Sequence, residues 1–207
     1  MSSNIDTAIP PFGNPTTAGV RNNFSAAKEE IESLQTAKVI RIQHFNDSLK
    51  VFQQITASNT PQVIDFNSQL FNNGGIYTFD EANNEIEFSE SGWYSASISF
   101  HVERQAAGGG AADFYIHSEL KEPSGDWTDF PGSSRIITMD GASANQKDFH
   151  TIAFISQIVT PGTRIRWQQM TTDHTKTIGI CTYPSPMAHV PSAAGISFSV
   201  QKISEEL

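Results

Sequence analysis

Residues 94–102 read YSASISFHV, and this stretch decides the fold class. Apolar and polar side chains alternate along it, and the apolar set is Tyr94, Ala96, Ile98, Phe100 and Val102. Serine or histidine stands at every position between them. Because successive side chains of a β-strand point to opposite faces, the pattern predicts a strand with one face in a core and the other face polar.

The same period of two recurs further along the chain. The inward positions that it predicts are Phe114, Ile116 and Leu120, then Ile165 and Trp167, and finally Ile196, Phe198 and Val200. Turn-forming residues separate these runs, as in 72–75 (NNGG) and 161–162 (PG). Many short strands between turns predict an all-β sandwich or barrel.

The stretch from Phe149 to Val159 departs from this alternation because it is apolar on both faces. Ile152, Phe154 and Ile158 stand on one face, and Ala153 and Ile155 stand on the other. We expect either a central strand or a strand that is buried against a neighbouring subunit.

The N-terminal part follows a different pattern. Prolines 10, 11 and 15 exclude a regular helix, so residues 1–16 are expected to form an extended arm. An amphipathic helix should follow, with apolar positions at steps of four and three: Val20, Phe24, Ala27, Ile31 and Leu34. This helix either packs on its own domain or forms a short coiled-coil seam between subunits. The change of period at Val39 predicts two parts, 1–38 (arm and helix) and 39–207 (head).

Composition excludes several function classes. The chain of 207 residues carries 22 acidic and 13 basic side chains, a formal net charge of −9. We therefore expect no nucleic-acid partner and no binding to an anionic membrane surface. No apolar run is long enough to cross a membrane, and no secretory signal is recognised, so folding in a cytoplasm is expected. Cys181 stands alone in the chain, in an apolar run, and is interpreted as a buried inert thiol.

No sequence motif of catalysis or of cofactor binding is recognised, so we expect no enzyme activity, no cofactor and no metal. The glycines 108–110 are interpreted as a flexible hairpin tip. His101 and His117 are placed on adjacent strands, as surface imidazoles rather than as a metal bridge. The acidic residues between Asp80 and Glu85 suit a solvated loop, with calcium as the alternative.

Two aromatic residues in polar loops are candidates for ligand contact. Trp127 lies in the run GDWTD (125–129), and Tyr183 lies in TYPSP (182–186). An aromatic ring beside carboxylates is typical of a sugar-binding surface. The alternative for both residues is packing under a loop or at a subunit interface.

Several motifs together resemble the jelly roll of complement globular heads and of the tumour-necrosis-factor group. They are YTF (77–79), GWY (92–94) leading into the long strand, PGTRI (161–165) and AGISF (194–198). Thr163 stands where that group usually has aspartate. The resemblance implies a trimeric jelly-roll sandwich over roughly residues 45–203, with the terminal strands near the threefold axis.

A second resemblance concerns PFGNPTTAGVRNNF (11–24), which continues into AAKEEI (26–31). This segment resembles the leader of small virion proteins of tailed phages, in which a turn-rich arm and a short helix precede a variable head. It implies that the arm attaches to a phage capsid or tail protein. The expected anchor residues are Ile9, Pro10, Pro11 and Phe12.

The two resemblances imply a homotrimeric structural protein of the virion, assembled in the host cytoplasm. It would decorate the capsid as a head fibre or a cement-type knob. The first alternative is a short tail fibre or spike whose head binds a host surface glycan. The second is a bacterial jelly-roll lectin unrelated to phages.

Overall fold

The computed structural model describes residues 17–35, 37–46, 48–106, 108–141, 145–184 and 192–204. It contains one α-helix, fourteen strands and a short 3₁₀ turn at His174–Lys176 within those ranges. The elements are α1 (Thr17–Gln35), β1 (Val39–His44), β2 (Phe52–Gln54), β3 (Gln62–Val63), β4 (Ser68–Asn73), β5 (Tyr77–Asp80), β6 (Glu85–Phe88), β7 (Gly92–Arg104), β8 (Ala112–Lys121), β9 (Thr128–Asp129), β10 (Arg135–Met139), β11 (Gln146–Ile158), β12 (Thr163–Thr171), β13 (Ile178–Cys181) and β14 (Ile196–Ser204).

The strands form two antiparallel sheets. Sheet A has the order β2-β13-β7-β14-β1-β4, and β11 pairs with the other edge of β7. Sheet B has the order β10-β8-β12-β6-β5, with β3 beside β12 and β9 beside β8. Successive long strands cross between the sheets, which is the connectivity of a jelly-roll sandwich. The all-β prediction is confirmed.

Aromatic rings join the inner faces of the two sheets. Phe88 of β6 packs edge-on against Tyr94 of β7, with ring centroids 4.9 Å apart. Trp167 of β12 packs against Phe198 of β14 at 5.5 Å. Such rings bury a large apolar area and span the gap between sheets. The predicted inward positions on β7, β12 and β14 are buried as expected.

The strand β11 is an edge strand. All of its 13 residues pair with β7, and no other described strand pairs with it. The side chains of Phe149, Ile155 and Val159 are 54%, 62% and 68% exposed. The prediction of a central strand is therefore wrong, because an apolar pattern on both faces does not reveal how many neighbours a strand has. Burial against a neighbouring subunit stays a prediction.

Two sequence interpretations assumed that β7 and β8 pair with each other, and both are wrong. The two strands lie in opposite sheets, so His101 and His117 do not face each other across a strand pair. The glycine segment between them is a crossing between sheets rather than a hairpin tip. The buried Arg104 guanidinium holds this crossing by donating to the carbonyl oxygens of Gly108 and Gly110.

Helix α1 precedes β1, as the change of period at Val39 suggested. Phe24 and Ile31 on this helix are 72% and 52% exposed, and Val20 and Ala27 are partly buried. The side chain of Leu34 and the anchor residues 9–12 lie outside the described residues. The trimer, the coiled-coil seam and the division at residue 38 stay predictions.

Candidate functional site

The outer face of sheet B carries a polar cluster. His117 and Glu119 stand two positions apart on β8, so both point to the same face. The strand register places Asp129 of β9 on one side of Glu119 and Arg166 of β12 on the other. We call His117, Glu119, Asp129 and Arg166, together with Gln168, the β8–β9–β12 cluster.

Glu119 is the centre of this cluster. Its Oε2 accepts a hydrogen bond from Nε of Arg166 at 2.7 Å and a second one from the side-chain amide of Gln168. Gln168 is only 5% exposed, and the Glu119 side chain is 15% exposed. Two charge-assisted donors therefore hold this carboxylate in one orientation.

His117 and Asp129 complete the cluster with a looser contact. The Nε2 atom of His117 lies 3.6 Å from Oδ1 of Asp129, and the two side chains are 19% and 87% exposed. One ligand atom each of His117, Glu119 and Asp129 lies within 4.8 Å of the others. No other three His, Cys, Asp or Glu residues approach one another this closely among the described residues.

Trp127 lies over the same face. The guanidinium carbon of Arg166 is 4.0 Å from the centroid of the indole ring, and the ammonium of Lys121 is 5.9 Å from it. The loop between β8 and β9 thus packs its large ring on a cation of β12. This contact gives Trp127 a packing role, in line with the packing alternative, but the sequence did not indicate Arg166 as its partner.

Two shallow cavities open on the outer face of sheet B, and one of them borders the cluster. One of about 240 Å³ is lined by Tyr115, His117, Asp129 and Met170, among others. Another, of about 320 Å³, is lined by charged groups that include Glu87, Lys121 and Arg164. A ligand on this face would meet aromatic, acidic and basic groups within a short distance.

The second predicted ligand residue, Tyr183, lies far along the chain and packs on sheet A. Its hydroxyl donates to Oε2 of Glu103 at 2.7 Å, and Lys50 binds the other oxygen of that carboxylate at 2.5 Å. The Tyr183 ring packs edge-on against His101 and lies 4.5 Å from the ammonium of Lys147. The structure therefore places Trp127 and Tyr183 on opposite sheets, so they do not form one site.

Burial and hydrogen bonds act in opposite directions on the pKa of Glu103, and in the same direction on the pKa of Tyr183. Burial alone would raise the pKa of Glu103, but hydrogen bonds from Lys50 and Tyr183 outweigh it and lower the pKa below the usual value. Burial and the bond to Glu103 raise the pKa of Tyr183. Burial and the Glu103 charge raise the pKa of Cys181 to about 11. Cys181 is fully buried, so the predicted burial of this thiol is confirmed, and its inertness stays a prediction.

Acidic side chains in and beside the loop between β5 and β6 have hydrogen-bond or ion-pair partners within the chain. Oδ1 of Asp80 accepts from the backbone N–H groups of Ala82 and Asn83, and Oδ2 accepts from the Asn83 side chain at 2.7 Å. Glu85 pairs with Arg164 at 3.2 Å. These contacts favour the solvated-loop interpretation over the calcium alternative.

The outer face of sheet A differs in character from that of sheet B. Its outward residues in the middle of β7, β11 and β14 are uncharged: Ser95, Ser97, Ser99, Thr151, Ala153, Ile155, Ser197, Ser199 and Gln201. Arg41 of β1 lies beside them and donates to Ser197. The outer face of sheet B carries acidic and basic side chains instead, including Glu87, Glu119 and Arg164.

Comparisons with known proteins add no identification. A scan against protein-family models finds no match, and no curated protein matches the sequence significantly. No helix in the described part of the chain is both long enough and apolar enough to cross a membrane.

The β8–β9–β12 cluster was missed at the level of sequence. Alternation along β8 places His117 and Glu119 on one face, and this signal was available. The pairing of β9 with β8, which brings in Asp129, depends on a six-residue loop whose course the sequence does not reveal. Arg166 arrives from β12, more than thirty positions further along the chain.

Proposed function

We propose that the chain is a homotrimeric structural protein of a tailed-phage particle. In this proposal the arm before α1 attaches to a capsid or tail protein, and the jelly-roll head projects outward. The phage assignment is supported by the resemblance of residues 11–31 to phage virion leaders. The assembly assignment is supported by the exposed apolar surface of the described residues.

The observation that carries the proposal is the outer face of sheet A. It has an uncharged centre, and Ile155 and Val159 are 62% and 68% exposed at its edge. Depletion of charge with exposed apolar side chains is typical of the centre of a protein interface. Among the described strands only β7 pairs with β11, so the other edge of β11 has no strand partner there, and isolated proteins normally protect such an edge. A second subunit against this face would cover both features.

Exposed residues of α1 support the same assembly. Phe24 and Ile31 lie seven positions apart, which is one heptad, and both are more than half exposed. Most helical stability in proteins comes from packing of an amphipathic face, so burial of these side chains between subunits would stabilise the 19-residue α1. Three arms on one trimer would then bind a symmetric particle jointly, through effective concentration.

The mass of the intact protein in solution tests the assembly. We expect three chains, and we expect Ile155→Asp to yield monomers with a folded head. Ile136→Asp is the matched control, because Ile136 is 60% exposed on β10 of sheet B. A wild-type monomer at micromolar concentration, or equal effects of both variants, would contradict the proposal.

The helix seam has its own test. Ile31→Asp combined with Leu34→Asp should weaken assembly without unfolding the head. Circular dichroism gives the folded control for this double variant. A trimer that persists unchanged would exclude a seam in α1. It would not contradict an interface on sheet A.

Labelling of purified particles with an antibody to the head tests the location. Label spread over the capsid supports decoration, and label confined to the tail supports a tail fibre. Deletion of residues 1–16 should abolish attachment to the particle while the head still folds. Attachment that survives this deletion would contradict the anchor.

The second candidate function is binding of a host surface glycan by the head. It is supported by Trp127, whose ring lies 4.0 Å from the Arg166 guanidinium on the same outer face as the β8–β9–β12 cluster. A glycan array probed with the full chain tests it. Saturable binding lost in Trp127→Ala but kept in Tyr183→Phe would favour this role on sheet B.

A further inference from the structure

We propose that His117, Glu119 and Asp129 form a binding site for a divalent transition-metal ion such as zinc on the outer face of sheet B. The inference does not depend on the phage assignment or on the trimer. One imidazole and two carboxylates are ligands that zinc accepts in proteins.

The backbone places these three groups together. His117 and Glu119 lie two positions apart and therefore on the same face of β8. Asp129 is the direct cross-strand partner of Glu119. Side chains of directly paired residues lie about 4.5–5.5 Å apart at Cβ, which is close enough to share an ion. The ligand atoms of the three residues accordingly lie within 4.8 Å of one another.

The distance between His117 and Asp129 suits an ion better than a hydrogen bond. Their Nε2 and Oδ1 atoms are 3.6 Å apart, beyond the roughly 2.7–3.2 Å of an N–H···O bond. Two ligands at about 2.0–2.1 Å from a tetrahedral zinc ion lie about 3.3 Å from each other. Small side-chain movements would therefore bring both atoms into coordination.

Glu119 is prepared for the same role by its neighbours. Arg166 and Gln168 both donate to Oε2, which leaves Oε1 for a metal ion. Donors behind a ligating carboxylate fix its orientation, as the outer partners of metal ligands usually do. Two carboxylates against one guanidinium leave the cluster with a net negative charge that favours a cation. The exposed side of Asp129 leaves room for water as the fourth ligand.

An ion here would have a structural consequence for Trp127. The residue lies in the loop that joins β8 to β9, between Glu119 and Asp129. A metal bridge across the base of this loop would hold it closed and keep the indole on Arg166. Zinc binding should therefore stabilise the sheet B surface that the glycan alternative would use.

The site is tested by calorimetry. The full chain is first treated with a chelator to remove bound metal and is then titrated with zinc chloride. We expect one ion per chain and a rise in the unfolding temperature with zinc. His117→Ala and Asp129→Asn should each weaken binding by at least about tenfold. Asp129→Asn keeps the size of the side chain, so it reports on coordination rather than on folding.

His150→Ala is the matched control. His150 also contacts an aspartate, Asp148, at 2.9 Å on β11, but no third ligand joins that pair in the described residues. Zinc affinity should be unchanged in this variant. Absence of zinc binding by the wild-type chain, or binding that survives both His117→Ala and Asp129→Asn, would overturn the proposal.

Discussion

The guanidinium of Arg166 lies 4.0 Å from the centre of the Trp127 ring, while its Nε donates to Glu119 at 2.7 Å. One cation thus joins a loop aromatic to a strand carboxylate. The contact explains why a large ring stands in a polar loop: it covers part of the Arg166 side chain, which is 22% exposed. Any ligand that stacks on Trp127 must use the remaining face or displace Arg166.

The coupling between Trp127 and Arg166 can be measured with a double-mutant cycle. Trp127→Ala, Arg166→Ala and the double variant should show an interaction free energy of about 0.5–1 kcal/mol in urea unfolding, as expected for a cation–π pair near the surface. Lys121→Ala with Trp127→Ala is the control, and its longer distance of 5.9 Å should give weaker coupling. Fully additive effects for the Arg166 pair would contradict the contact.

Tyr183 should matter for stability through Glu103. Tyr183→Phe removes a donor from a carboxylate that is fully buried, so the free energy of unfolding should fall by about 1–3 kcal/mol. Tyr115→Phe is a matched control, because the Tyr115 hydroxyl makes no hydrogen bond with the described residues. Equal losses in the two variants would show that the Glu103 contact is unimportant.

The Glu103 contact also predicts a pH dependence. The pKa of the Glu103 carboxyl in the folded state lies below its ordinary value of 4.5, so the stabilisation is present above pH 4.5 and is lost as the pH falls through the folded value. The stability difference between wild type and Tyr183→Phe should therefore shrink on acidification below pH 4.5. Denaturant unfolding at a series of pH values measures this difference. A difference that grows on acidification would contradict the prediction.

His101 gives a second pH dependence of stability, in which the group that loses its ordinary pKa is a base rather than an acid. Burial lowers the pKa of this imidazole below its ordinary value of 6.5, because the ring lies against Phe149 and Tyr183. The folded state then binds fewer protons than the unfolded chain, and stability should fall as the pH drops through 6.5. His101→Gln should reduce this loss between pH 7.5 and 5.5. An identical pH profile in wild type and variant would refute the assignment.

Gly179 should tolerate no side chain. A methyl group on Gly179 of β13 would overlap the backbone oxygen of Gln53 on β2, so Gly179→Ala should cost about 1–3 kcal/mol or more. Gly125→Ala is the control, since the nearest atoms to a Cβ there are 3.8 Å away. Thermal unfolding measures both variants. A stable Gly179→Ala protein would mean that β2 and β13 pair more loosely.

Part of the site was within reach of the sequence and part was not. Alternation placed His117 and Glu119 on one outward face, because the period of two is a local property of a strand. Asp129 and Arg166 reach Glu119 through strand pairs, and strand pairs depend on loop paths and on the crossing between sheets. The ligand roles assigned to Trp127 and Tyr183 stay predictions, although the structure now gives both rings a packing partner.

The sequence by itself determined that this chain folds as an all-β protein after a short helix, and which side chains of β7, β12 and β14 point inward. Burial of apolar side chains decides both, and the spacing of those side chains is written in the chain. Only the tertiary structure decided that β11 lies at an edge and that His101 and His117 belong to opposite sheets. The number of neighbours of a strand and the sheet that it joins follow from contacts between distant residues, which the period of a single segment does not contain.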